Sequence, residues 1–143
     1  MNVIINQQSI TAEAAHIAVE AAVEKARQLD ILINVEVVDS AGLPMAFLRM
    51  PGAFIHSIEI AKDKAFTSAS FGFPTSQWKD IFEEDEMLKT GMPGRDRLVV
   101  FGGGLPIRVN DQLIGAIGVS GGSAEQDVEC AEAGIKAILQ QNE

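Results

Sequence analysis

One stretch near the C-terminus limits what this chain can fold into more than any other. The run Leu113–Ser120 reads as a strand, passes through Gly121-Gly122, and enters a helix capped by Ser123. Ser123 is an N-cap, and Gln126 three residues on completes a capping box. Just upstream, Leu105–Val109 and the turn Asn110-Asp111 make a hairpin with the strand. The helix offers Ala124, Val128, Ala131, Ile135 and Ile138/Leu139 as a core face. A second face carries only Cys130, Ala133, Gly134 and Ala137, small enough for another helix to approach closely. The free N–H groups at its start favour an anion at Gly121-Gly122. Glu125 and Asp127 already occupy the first turn, however, and a tight strand-to-helix turn accounts for the glycines equally well. Gly102-Gly103-Gly104 precedes no helix, so it fits neither a Walker loop nor a dinucleotide fingerprint; it reads as a turn or bulge.

The rest of the chain supplies the other layers. Thr11 caps a helix running to Leu29, whose core face is Ile10, Ala14, Ile17, Ala18, Ala21, Ala22 and Leu29. A second stripe holds Ala12, His16, Val19, Val23 and Ala26. Leu32–Asp39 and Leu43–Met50 form a hairpin about Ser40-Ala41-Gly42. A helix follows from about Phe54 to Phe71, and Thr75 caps a short one through Trp78, Ile81 and Phe82. Residues 83–96 read as an acidic loop and Leu98–Phe101 as a third strand. Hairpin connections predict one α+β domain over residues 1–143, with a mainly antiparallel sheet of about five strands backed by helices.

Composition removes several functions. A single cysteine, Cys130, excludes an internal disulfide framework and any multi-cysteine metal site within one chain. The net charge is −9 and the eleven Lys and Arg are scattered, which speaks against nucleic acid as a partner. No run of about 18 apolar residues exists to span a membrane. The opening residues lack the pattern of a signal peptide, so a cytoplasmic location is expected. With 47% hydrophobic residues in an acidic chain, burial of apolar surface in a homo-oligomer is expected.

Chemistry-bearing residues are few. His16, one turn from Val19 and two from Val23, suits an axial haem or corrinoid ligand at a subunit interface, or a plain helix–helix contact. His56 lies beside Ser57 and Glu59 near the start of the second helix. Lys64, Thr67 and Ser68 share a helix face; with Gly121 and Gly122 they mark a candidate pocket for a small carboxylate, or simply a solvated face. Cys130 suits packing better than nucleophilic catalysis. No nucleophile–base pair stands out, and whether the chain is an enzyme stays open.

Two segments carry a family resemblance. The first is Val37-Val38-Asp39-Ser40-Ala41-Gly42 with Ala46–Met50 and Ser57–Thr67. The second is Gly103–Ile107 with Ile114–Gly122, Glu125 and Asp127. Together they resemble the GlcG/HbpS (haem-degrading domain) family, which includes the C-terminal domain of PduO-type cobalamin adenosyltransferases. The resemblance covers about Thr11 to Leu139. It implies a profilin-like fold with a five-stranded antiparallel sheet, homo-oligomers, and an accessory role in diol, glycerol or glycolate metabolism. It also implies haem as a cofactor, with His16 as the iron ligand, and leaves a corrinoid or no cofactor as the alternatives. A cofactor-free scaffold, or an enzyme acting on a small carboxylate, are the alternative functions.

Overall fold

The computed structural model describes residues 1–142. After an extended segment to Ser9, Thr11 caps α1 (Ala12–Gln28), its hydroxyl accepting from the Ala14 amide. Then come β1 (Asn34–Asp39), β2 (Pro44–Arg49), α2 (His56–Phe71), a 3-10 turn (Thr75–Gln77), α3 (Trp78–Glu84) and α4 (Glu86–Gly91). The chain ends with β3 (Gly104–Val109), β4 (Gln112–Ser120) and α5 (Ala124–Gln141). Ser123 and Gln126 form the capping box their spacing predicts. Asn110 and Asp111, at φ of 51° and 64°, make the two-residue turn between β3 and β4.

The sheet has four strands in the order β2-β1-β4-β3, every neighbour antiparallel. The predicted strand Leu98–Phe101 is absent, which corrects the expected five. Val99 is buried, but its amide donates to the Thr67 hydroxyl and not to a sheet neighbour. That segment is tied to α2. Two smaller corrections follow from hydrogen bonding. Thr75 does not cap its turn; its hydroxyl accepts from the Gly104 amide at 3.0 Å. Within 83–96, Asp85 caps the short helix α4 through the amides of Met87 and Leu88.

α1 and α5 share one sheet face and enclose the main core, with Ile33, Val35, Val37, Ile107, Ile117 and Val119 from the sheet. Because they also pack on each other, their buried arcs are wider than a single stripe. On α1 these are Ala15, Ala18, Val19, Ala22, Val23 and Ala26. The stripe predicted as spare thus largely belongs to the core. On α5, Cys130 and Gly134 are buried while Ala124 and Leu139 are exposed. A side chain at Gly134 would come within 2.8 Å of the Ala18 carbonyl, so the small-residue face meets α1 of the same chain.

The other sheet face is covered by α2 alone, through small residues: Ala65 and Ala69 on the helix, Val38 and Ala116 on the strands. Beneath α2, Glu36 lies opposite Phe47 and beside Gly118, and is 1% exposed. Neither carboxylate oxygen has a hydrogen-bond partner among the described residues. Burial raises its pKa above the ordinary value, against the pull of Lys62 and Arg97. The folded chain therefore holds this proton more tightly than the unfolded chain. Its contribution is fully present below the ordinary glutamate range and is lost as pH rises toward the raised folded value. Glu36→Leu should raise stability by about 1–3 kcal/mol at pH 8, and by less at pH 5, in urea unfolding. A gain equal at both pH values would rule out a buried charge as the cause.

Candidate functional site

Residues from four places meet at the middle of α2. The Lys64 ammonium is 1% exposed; it donates to the Val119 carbonyl at 2.8 Å and to Asp127 at 3.0 Å. It also lies 5.2 Å from the centre of the Phe101 ring. The other Asp127 oxygen accepts from the Gly122 amide at 2.9 Å. Gly103 has to be glycine here: at φ 129° a Cβ would stand 2.5 Å from the ammonium. Burial lowers the pKa of Lys64 and raises that of Asp127, and the attraction between them opposes both shifts.

In this geometry the candidate carboxylate pocket is met by a carboxylate of the chain itself. Lys64, Gly121 and Gly122 do converge, but the chain's own Asp127 carboxylate fills the place an anion would take. Thr67 is also spent internally: its hydroxyl donates to the Arg97 carbonyl and accepts from the Val99 amide, both within 3.1 Å. Ser68 is fully buried and its hydroxyl has no partner among the described residues. Asp127 is the residue that sequence reasoning did not join to Lys64, because the two are 63 positions apart.

His16 has the opposite character. Its side chain is 66% exposed, with Nε2 at 3.4 Å from Glu20 one turn on. Val19 and Val23, expected to flank it, are 1% and 5% exposed and pack in the core. Val23 still reaches the floor of a groove between α1 and β2 that Glu20, Arg27 and Leu48 also line; Arg49 and Met50 continue it. The groove thus has a small apolar floor between charged side chains: the carboxylates of Glu20 and Glu24, the Arg27 guanidinium paired with Glu24 at 3.1 Å, and Arg49, which donates to the Ala53 carbonyl at 2.9 Å; the exposed His16 imidazole lies one turn before Glu20. A ligand with acidic substituents would have to draw Arg27 away from Glu24, an exposed pair that costs little to break.

The remaining candidates are plain. His56 opens α2 at the surface. The Cys130 thiol is buried and its pKa is pushed up to about 12, chiefly by desolvation, so it is not a nucleophile. Among the described residues, no group of three or more His, Cys, Asp or Glu is placed to hold a metal ion. No helix among them is long and apolar enough to cross a membrane.

The fold and groove define a class: a small α+β domain with two helices on one sheet face, one on the other, and an exposed helix-borne histidine. The chain belongs to the HbpS-like family, whose model, described as haem degrading protein HbpS-like, matches residues 10–136. It is 36% identical over 126 residues to the corrinoid adenosyltransferase PduO of Salmonella typhimurium, covering 86% of this chain and 37% of PduO. The chain therefore spans little more than a third of that relative. Protein ORFY of Klebsiella pneumoniae has a similar structure, with a TM-score of 0.89, 32% identity and 97% of each chain covered. A PduOC:haem complex superimposes with a TM-score of 0.83 and 33% identity over 90% of this chain and 94% of that one.

Proposed function

We propose that this chain is a cytoplasmic, homo-oligomeric accessory protein of diol, glycerol or glycolate metabolism that binds a tetrapyrrole, haem before a corrinoid, beside His16. The observation that carries the reading is the exposed His16 imidazole on α1, next to a groove floored by Val23 and Leu48. The solved haem complex of a relative 33% identical over most of the chain supports it, as does the corrinoid chemistry in the name of the other relative. His16 would hold the metal through an imidazole nitrogen, Val23 and Leu48 would give an apolar wall, and Arg49, with Arg27 once released from Glu24, would meet acidic substituents. The bound group would supply metal-centred ligand binding or redox chemistry. The His16–Glu20 contact is long and lies at the surface, so the imidazole is free to turn. The small-carboxylate reading loses its ground, since Lys64 and Gly122 are both engaged by Asp127.

Titrating haemin into the wild type and into His16→Ala tests this. The wild type should show a shifted, saturable Soret band, and the variant should bind at least about tenfold more weakly. No Soret shift in the wild type would remove the haem reading in favour of a cofactor-free protein. An equal shift in the variant would remove His16 as the ligand.

A further inference from the structure

The segment before α1 stands away from the domain. Ile10 is anchored by its amide to the Ile114 carbonyl, and the Ser9 hydroxyl accepts from the Ser40 amide. Residues 1–8 make no hydrogen bond to the rest of the described chain. Within them Val3, Ile4 and Ile5 are 83%, 76% and 80% exposed. Three consecutive β-branched apolar side chains in water are a strand without a partner.

The sheet has two outer edges, and β2 is the one open along its length. On β3, the first two outward positions are closed, leaving Arg108 at the hairpin end. Gly104 gives its amide to Thr75, and Pro106, two residues on, has no N–H. On β2 the Met50 amide points inward to the Ile33 carbonyl. By the alternation of an antiparallel ladder, Leu48 also faces β1, while Phe47 and Arg49 turn their backbone N–H and C=O groups outward. No interior proline or bound side chain blocks that row. Neither residues 1–8 nor β2 contains a carboxylate, so pairing them is the contact that a net charge of −9 opposes least.

We propose that residues 2–6 of one copy add as a further strand to the outer edge of β2 in a second copy, so that the arms hold the oligomer together. The inference rests on the reading of the chain as a homo-oligomer. It names the contact as main-chain pairing, with Val3 and Ile5 on one side of the extended sheet and Ile4 on the other.

Sedimentation of the full chain, a Δ2–8 form and Ile4→Pro tests it, together with amide exchange at Phe47 and Arg49. The full chain should sediment as an oligomer, and both variants should shift to a smaller species at the same concentration. Exchange at the two amides should quicken at least tenfold in the variants. The helical circular dichroism should be unchanged, because the arm packs on nothing in the described part of its own chain. An unchanged oligomer in both variants would overturn the arm contact while leaving a homo-oligomer. A full chain that sediments as a monomer at every concentration would overturn both. Protection at Phe47 and Arg49 that survives dilution to monomer would mean the arm pairs with its own β2, and would also overturn the proposal.

Discussion

Lys64→Ala is expected to cost about 3–5 kcal/mol of folding stability, with a fall in melting temperature of roughly 10 °C or more. Two effects combine. The substitution leaves Asp127 nearly buried without its counter-charge, held by backbone amides of the glycine turn. It also frees the Val119 carbonyl and opens a cavity under Phe101. Urea unfolding of Lys64→Met, Asp127→Leu and their double variant closes a cycle on the pair, and Lys64→Ala against Lys64→Met isolates the cavity. The paired apolar replacement should cost clearly less than the sum of the two single changes, because it leaves no unmatched buried charge. A cost below about 1 kcal/mol for Lys64→Ala, or strict additivity, would show that the ion pair does not tie the two glycine turns together.

Gly118→Ala should be nearly as damaging, at about 3 kcal/mol or more, the upper end for overpacking. The backbone of α2 rests directly on this residue. A Cβ would run into the Ala61 carbonyl oxygen and the Ala65 amide nitrogen, and would stand 3.0 Å from the Lys64 Cβ. Main-chain atoms cannot swing aside, so α2 has to lift from the sheet, and Lys64 moves away from Asp127 with it. The effect should therefore fall short of additive with Lys64→Ala in a double-mutant cycle, also read by urea unfolding. A loss under about 1 kcal/mol would mean that α2 rides higher than described.

These two residues also show what the sequence made legible. Local signals placed the elements well. Ser123 and Gln126, Thr11, and the Asn110-Asp111 turn each act on backbone groups within a few residues, so their spacing is enough. What failed was long-range. Val99 looks like strand, yet its amide is claimed by Thr67, 32 positions earlier, so the sheet stops at four strands. Lys64 looks like a surface cation on a polar helix face until Asp127 is found opposite. Helical periodicity could not say that α1 packs on both the sheet and α5, which is why Val19 and Val23 became core. His16 kept its exposure because it projects beyond that arc. The glycine pairs held the missed information: Gly103, Gly118 and Gly122 are small because Lys64, α2 and the first turn of α5 pass close by. Nothing in a single sequence says which element does the approaching.

The most direct measurement of the functional account is a crystal structure of the oligomer grown with haem. The account predicts iron bonded to the His16 imidazole nitrogen, the porphyrin over Val23 and Leu48, and a propionate within hydrogen-bond distance of Arg27 or Arg49. A porphyrin seated elsewhere, or His16 still facing Glu20 in a haem-loaded protein, would contradict it.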